Sequence, residues 1–364
     1  MKKKILAIIL TAALISGTAF AQNLAFSGYF NSGAGLTSSE DSHTLGVFGV
    51  DSERALFRFR LNGSYRNEEK TAGFNFRLQA QDNTSTPLSM LAYAYGYMNF
   101  FDSKLSLTGG LIDDSAWQTA DWWINNDVGE GTGILLKSVN LIDGLAFGAA
   151  AYTNSITSAV DLKDVRYVFS ASYTLADIFR VGASFRAENT VANNSGMLIG
   201  ELRILAVPNL TAIAAVSLDN LQDFDDAGNI VISETFAYKI SDEFNLGFNA
   251  VQFLYNRSVS VDPGFLFNLW GSYATGSIVP RLDLVYMTGG QSHAASYHRR
   301  GYVNFSSAAI PYTKNDSVFS ARPSVKINID SKTHLEIGDV FYMNMIGNDS
   351  AIKNVFYIDF KWSF

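Results

Sequence analysis

Arg54, Arg58 and Arg60 fall at alternate-parity positions in the stretch ERALFRFRLNGSY, with Ala55, Phe57, Phe59, Leu61 and Tyr65 interleaved. Arg77 stands in AGFNFRLQAQ, in step with Asn75, Gln79 and Gln81. Arg166 lies in DVRYVFSASYT, Arg180 and Arg186 in FRVGASFRAE, and Arg203 a little further on. Arg322 and Lys326 share VFSARPSVKINID. A guanidinium is charged at any physiological pH, so such groups do not shuttle protons. What they can do is attract anions and set the field that ions and polar solutes meet. Glu188, Glu201, Asp283, Glu336 and Asp359 also sit at polar positions and could neutralise the cations pair by pair. A solute path lined by charge and an interior merely filled by ion pairs are both open at this point.

Two further groupings have chemical character. The segment DDSAWQTADWWINNDVGEG carries Asp113, Asp114, Asp121, Asp127 and Glu130 beside Trp117, Trp122 and Trp123, three of the five tryptophans of the chain. The run YAYGY puts Tyr93, Tyr95 and Tyr97 on one face of an extended segment, opposite Ala92, Ala94, Gly96 and Met98. Catalysis finds little support. The four histidines are His43, His293, His298 and His334, and the loop GGQSHAASYHRRG that holds two of them brings no acid. Neither a phosphate loop nor a G-x-S-x-G elbow occurs. With no cysteine and no histidine pair at helical spacing, no metal site is expected, and the run DDAGN at 225–229 reads as a solvated turn rather than a calcium loop. The expectation is a non-enzyme with no cofactor.

The elements that must position these residues are strands. The tail NVFYIDFKWSF shows why: Phe356, Ile358, Phe360, Trp362 and Phe364 alternate with Val355, Tyr357, Asp359, Lys361 and Ser363. Side chains of a strand point alternately to its two faces, so one face is wholly apolar and the other mostly polar. The same period of two runs through the chain, and 18 strands can be counted from Leu24, with 16 as the alternative count. Among them are 24–35, 53–65, 263–274, 333–345 and 352–364. Tight connections at 101–104, 175–178, 207–209, 241–243 and 330–333 alternate with long ones at 36–52, 113–130, 154–162, 220–229, 256–262 and 289–317. No composition break divides them, so residues 22–364 are expected to form one domain.

Composition narrows the class. Aromatics make up 13% of the 364 residues, yet nothing after the N-terminal run approaches the ~18 consecutive apolar residues of a membrane-spanning helix. The start MKKKILAIILTAALISGTAFAQ has three lysines, an apolar run and Ala19-Phe20-Ala21, the pattern of a secretory signal peptide at 1–21. Without its three lysines, 24 basic residues face 34 acidic ones, a balance that argues against nucleic acid as a partner. Apolar residues dispersed by alternation are the weak signature of a membrane barrel. A soluble β-sandwich alternates too, but the set of strands is too long for one, and a terminal strand this aromatic would have to be buried.

The signal peptide, the meander of alternating strands and the final strand VFYIDFKWSF closing on Phe364 resemble bacterial outer-membrane β-barrel proteins, porins in particular. The resemblance implies an all-β, antiparallel, up-and-down transmembrane barrel in the cell outer membrane, with short periplasmic turns and long extracellular loops. It implies that Phe360, Trp362 and Phe364 are read by the barrel assembly machinery, and it allows a homotrimer, common in that family. It implies that the third long loop folds into the barrel and narrows it, with Asp113, Asp114, Trp117, Asp121, Trp122 and Trp123 at the constriction. On this reading Arg54, Arg58, Arg60, Arg77, Arg166, Arg180, Arg186, Arg203, Arg322 and Lys326 line a water-filled lumen, and small polar solutes or ions pass by diffusion. Tyr93, Tyr95 and Tyr97 would then offer an aromatic track suited to sugars. The alternative is a surface adhesin or receptor barrel that binds a partner through loops such as 289–317, which carries His298, Arg299, Arg300 and Lys314 among Tyr297, Tyr302 and Phe305.

Overall fold

The computed structural model describes residues 23–39, 43–47, 58–81, 91–112, 131–153, 165–187, 196–221, 224–256, 264–288, 317–346 and 349–364. Arg54, the segment 113–130 and most of the loop 289–317 lie outside the described residues. The strands are β1 (Leu24–Ser39), β2 (His43–Val47), β3 (Arg58–Arg66), β4 (Ala72–Gln81), β5 (Leu91–Phe100), β6 (Leu105–Ile112), β7 (Gly131–Ile142), β8 (Leu145–Thr153), β9 (Arg166–Leu175) and β10 (Phe179–Ala187). They continue as β11 (Met197–Ile204), β12 (Leu210–Asp219), β13 (Asn229–Lys239), β14 (Phe244–Asn256), β15 (Gly264–Tyr273), β16 (Ile278–Thr288), β17 (Ser317–Asn328), β18 (Thr333–Ile346) and β19 (Asp349–Ser363). Among the described residues no helix is long and apolar enough to cross a membrane; the chain crosses with strands.

Each strand from β3 onward pairs antiparallel with the next, and β19 returns to β1. The sheet is therefore closed. β2 and β3 both pair with β1, through Leu36↔Leu45 and Phe30↔Phe59 respectively, so they are two pieces of one barrel strand and the barrel has 18 strands. This differs from the sequence expectation at one place. Residues 36–52 were expected to be a loop, whereas β1 runs on to Ser39 and β2 folds back along it. The run LTSSEDSHTLGV is too polar to show an apolar period.

The two faces differ as the alternation requires. On β19, Phe356 and Trp362 are 44% and 47% exposed on the outer face, while Tyr357 and Asp359 between them are 2% and 7% exposed on the inner one. Phe26, Met98, Ile134, Phe169, Phe236 and Leu269 continue the outer apolar belt around the ring. An outward belt of this kind is stable only against lipid. The barrel is an integral membrane protein.

Closure is made at Gly28 and Phe364, whose backbone N–H and C=O groups exchange hydrogen bonds of 3.0 and 3.1 Å. A Cβ on Gly28 would come within 2.1 Å of the Arg60 carbonyl oxygen and 2.7 Å of the Phe364 ring, so the seam needs glycine there. The short-turn end is held by compact hairpins. In the turn after β5, Phe101, Asp102 and Ser103 all take left-handed φ values of 53–67°. In the turn after β17, the Asp330 carboxylate accepts hydrogen bonds from the backbone N–H of Lys332 (2.7 Å) and Thr333 (2.8 Å). The bond from Lys332, then those from Thr333, hold the Asp330 carboxyl below the usual carboxylate range.

Two outcomes are expected. Ile358→Lys, which sets an ammonium at mid-depth on the outer face, should destabilise the barrel by about 2–4 kcal/mol, read from guanidinium unfolding in lipid vesicles. Because the folded pKa of Asp330 is depressed, its support for the turn is present above the unfolded pKa and is lost as pH falls through the folded value. Hydrogen exchange at the Thr333 amide should therefore gain an acid-dependent acceleration that Asp330→Asn removes.

Candidate functional site

Register and burial place the inward positions of every described strand, and the cations fall on them in three groups. The first spans β1, β3, β4, β5 and β19. Arg60 faces Tyr29 across β1 and β3, and Asn62 faces Arg77 across β3 and β4. The Arg60 Nε donates to Gln79 Oε1 at 2.8 Å, and its guanidinium lies 5.3 Å from the centre of the Tyr29 ring. Arg77 donates from Nε to Asn62 Oδ1 at 2.8 Å and stacks 4.6 Å from the Tyr93 ring. Lys361 reaches the other side of Tyr29 at 4.5 Å. Arg58 stands two residues from Arg60 on the same face, and its buried Nε has no hydrogen-bond partner among the described residues. Amide oxygens and ring faces are neutral partners, which orient a cation without cancelling its charge.

The second group lies on β10 and β11. Arg180 and Arg203 face each other directly, and Glu201, whose side chain is 1% exposed, sits beside both. Arg180 bridges Glu201, and Arg203 Nε approaches the same carboxylate oxygen at 3.9 Å. Arg186 is buried higher on β10, and Arg166 faces Tyr152 across β8 and β9. The third group lies on β16 to β19. Arg281 holds Asp283 through two contacts of 2.7 Å and covers the Trp270 ring at 4.5 Å. Arg322, opposite Asp283, bonds Glu336 at 2.8 Å and accepts support from Tyr357, whose hydroxyl is 2.9 Å from Arg322 Nε and donates to Glu336 at 2.7 Å. Lys326 faces Glu336 in the ladder between β17 and β18. In the third group cations and carboxylates alternate, which lowers the net field they send into the lumen; in the second, Glu201 offsets part of the charge of Arg180 and Arg203.

The tyrosines of β5 also point inward. Tyr93 and Tyr95 lie 5.5 Å apart between ring centres, and Met98, of the opposite parity, is 49% exposed on the outer face. Tyr95 and Tyr97 help to line a niche of about 650 Å³ near the short-turn end, together with Asn75, Asn99, Thr108 and Lys137. An amide, a hydroxyl and an ammonium around two rings form a site that can hold a polar ring or an anion.

One inward feature has no counterpart in the sequence reading. Ile112, Leu135, Ala150, Tyr152, Val168, Met197 and Ile199 form an apolar cluster on the inner faces of β6 to β11, and Ile112, Leu135 and Val168 are fully buried. The signal for it is the breakdown of alternation in GILLKSVNLI and GMLIGELRIL, where apolar residues occupy both parities. Of the residues expected to form an assembly signal, Phe360 and Trp362 lie on the outer face and the Trp362 ring is 5.3 Å from that of Phe364. His43 and His334 are on separate strands, and His293 and His298 lie outside the described residues.

A closed antiparallel barrel with an apolar belt outside and charge inside is a transmembrane barrel of the outer-membrane class. Solved structures share this fold. OpdL of Pseudomonas aeruginosa matches with a TM-score of 0.58 at 11% identity, over 94% of this chain and 99% of that one. OprD of the same organism matches with a TM-score of 0.56 at 11% identity, over 95% and 97%. OccK11 (OpdR), also of that organism, matches with a TM-score of 0.54 at 10% identity, over 94% and 96%. The chain shares the fold of these three proteins over nearly its whole length. It is an integral outer-membrane protein with a porin-like barrel. No family model matches the sequence, and no curated protein matches it.

The third group supplies a test of what the ion pairs contribute. Arg322 and Glu336 are mostly buried, with side chains 13% and 17% exposed. Arg322→Met should destabilise the barrel by roughly 3 kcal/mol, because it leaves the Glu336 and Asp283 carboxylates undercompensated. Arg322→Met combined with Glu336→Gln should recover much of that loss in the same unfolding assay.

Proposed function

We propose that this barrel is a passive diffusion channel for small polar solutes and ions, with an inner wall that favours anions. The observation that carries the reading is the first basic group. The partners of Arg60 are the neutral Gln79 and Tyr29, so its charge persists in the lumen, and Arg58, Arg77 and Lys361 stand beside it. Clustered positive charge in a confined aqueous space raises the local anion concentration. Arg180, Arg203, Arg322 and Lys326 belong to wall segments that contain their own carboxylates and contribute less to selectivity. Arg54, Arg166 and Arg186 complete the proposed lining.

The third loop is proposed as the constriction, with Asp113, Asp114, Trp117, Asp121, Trp122 and Trp123 at the narrow point. Two facts support it. The loop leaves the wall one residue after Ile112 and returns at Gly131, beside the apolar inner cluster. A bare wall in a water-filled channel would expose Leu135 and Val168, and tryptophans are suited to covering them. Its carboxylates would oppose the arginines across the path. The paired tyrosines and the polar niche favour solutes that carry a ring with hydroxyls. Residues 1–21 are proposed as the cleaved export signal, and Phe360, Trp362 and Phe364 as the element presented to the assembly machinery.

Single-channel current in a planar bilayer under a salt gradient tests the function. The expected result is steady openings with an anion-favouring reversal potential, which moves toward zero in the triple variant Arg58→Ala, Arg60→Ala, Arg77→Ala. Arg180→Ala should move it less. A correctly folded, heat-modifiable barrel that never conducts would overturn the channel and leave the loop-bearing receptor as the reading to pursue.

A further inference from the structure

The niche at the short-turn end differs in charge from the walls around Glu201 and Glu336. Among the described residues that line it are two cations, Arg66 and Lys137, and no carboxylate. Its volume of about 650 Å³ lies within the range of small-molecule pockets. Arg66 belongs to β3 and Lys137 to β7, so the cations stand toward opposite ends of the niche. Between them the wall is neutral and rich in hydrogen-bonding groups. Lys137 faces Ser106 of β6, and Ser106 faces Asn99 of β5. One row higher, Thr108 faces Tyr97, and Asn75 of β4 faces Tyr95.

The two rings are held in place. Tyr95 packs against the apolar inner cluster, and its ring centre is 5.5 Å from that of Tyr93. A Cβ on Gly73 would come within 2.5 Å of the Tyr97 hydroxyl, so the Tyr97 ring lies across the bare backbone of β4. The same hydroxyl oxygen accepts a hydrogen bond from Arg66 Nε at 3.4 Å, which leaves its own O–H to donate elsewhere. A fixed ring offers a flat apolar face at little cost in side-chain entropy.

We propose that the niche is a binding site for a monosaccharide acid, a hydroxylated ring that carries one carboxylate. The carboxylate meets the Lys137 ammonium, the ring lies on Tyr95, and the ring hydroxyls reach Asn75, Thr108 and Tyr97. The class follows from what each simpler ligand leaves undone. A neutral sugar displaces water from the ammonium and brings no counter-charge. An apolar ring acid supplies the charge but leaves the amides and hydroxyls of the wall without partners. A sugar acid does both. Asn75 stands two residues from Arg77 on the same face of β4, so the niche is the next station beyond the first basic group, whose field draws anions toward it. The proposal rests on the channel reading for the route by which the solute arrives, while the site itself is built from wall residues.

The experiment is a saturation-transfer NMR titration of the folded, detergent-solubilised full-length barrel, with heat-modifiability as the check of folding. The probes are D-glucuronate, D-glucose and cyclohexanecarboxylate. Glucuronate should bind most tightly of the three. Lys137→Gln should weaken glucuronate roughly tenfold and leave glucose as it was. Tyr97→Phe, nearly isosteric, should weaken glucuronate and glucose about fivefold each and spare cyclohexanecarboxylate. Arg60→Ala, outside the niche, should weaken glucuronate less than Lys137→Gln does. Glucuronate binding no tighter than the other two probes overturns the site, and so does a folded Lys137→Gln barrel that binds it as the wild type does. If Lys137→Gln does not fold, Tyr97→Phe decides: equal affinities for all three probes before and after the change overturn the site. Single-channel current with the same probes separates the two readings. A barrel that binds glucuronate but never conducts overturns the channel and keeps the niche. One that conducts and shows no preference for glucuronate overturns the niche and keeps the channel.

Discussion

Hydrocarbon offers no hydrogen-bond partner to a peptide group, and this constraint shapes the whole chain. Every N–H and C=O at membrane depth must be paired within the protein, so a sheet can cross lipid only if it has no edge. Here that is met by the eleven register pairs from Tyr29↔Ser363 to Ser39↔Lys353, which tie β1 to β19. All else follows from closure. The outer parity is left to apolar side chains, the inner parity is free to be polar, and the chain must alternate at every step to serve both.

The inner wall shows what that freedom is used for. One of its charged stretches neutralises itself, with Asp283 and Glu336 around Arg281 and Arg322, and another does so in part, with Glu201 between Arg180 and Arg203. The stretch from β1 to β5 is built differently, with arginines steadied by Gln79, Asn62 and tyrosine rings. Steadying a cation with a neutral partner fixes its direction and keeps its charge. The apolar cluster of β6 to β11 separates this stretch from Glu201 and its arginines, while the ion pairs of β16 to β19 adjoin it across the β1–β19 seam.

Most of the barrel was legible from period two alone, because lipid enforces the alternation more strictly than a protein core does. The strands carrying Arg58, Arg77 and Phe360 could be placed with their faces assigned. Legibility failed where lipid does not reach or where the inner face stops being polar. β2 lies in a polar run with no apolar period. Leu135 and Met197 point inward from segments with apolar residues on both parities, so a rule equating apolar with outward misplaces them. Which cations keep their charge could not be read either. Glu201 and Gln79 are simply polar letters in their strands, and only register shows that one neutralises its neighbours and the other does not.

The Gly28–Phe364 junction has a consequence for the birth of the molecule. Its partners lie at opposite ends of the chain, so the pairing that seals the barrel has the largest sequence separation of any in the fold and the greatest loop-closure entropy to overcome. Hairpins can form locally, one after another, long before it. Until the seam is made, β1 and β19 are long unpaired margins, one of them lined by Phe356, Ile358, Phe360 and Trp362, and each is a template for a stray strand. A chain of this design depends on being escorted with those two margins shielded from each other's wrong partners until they can meet.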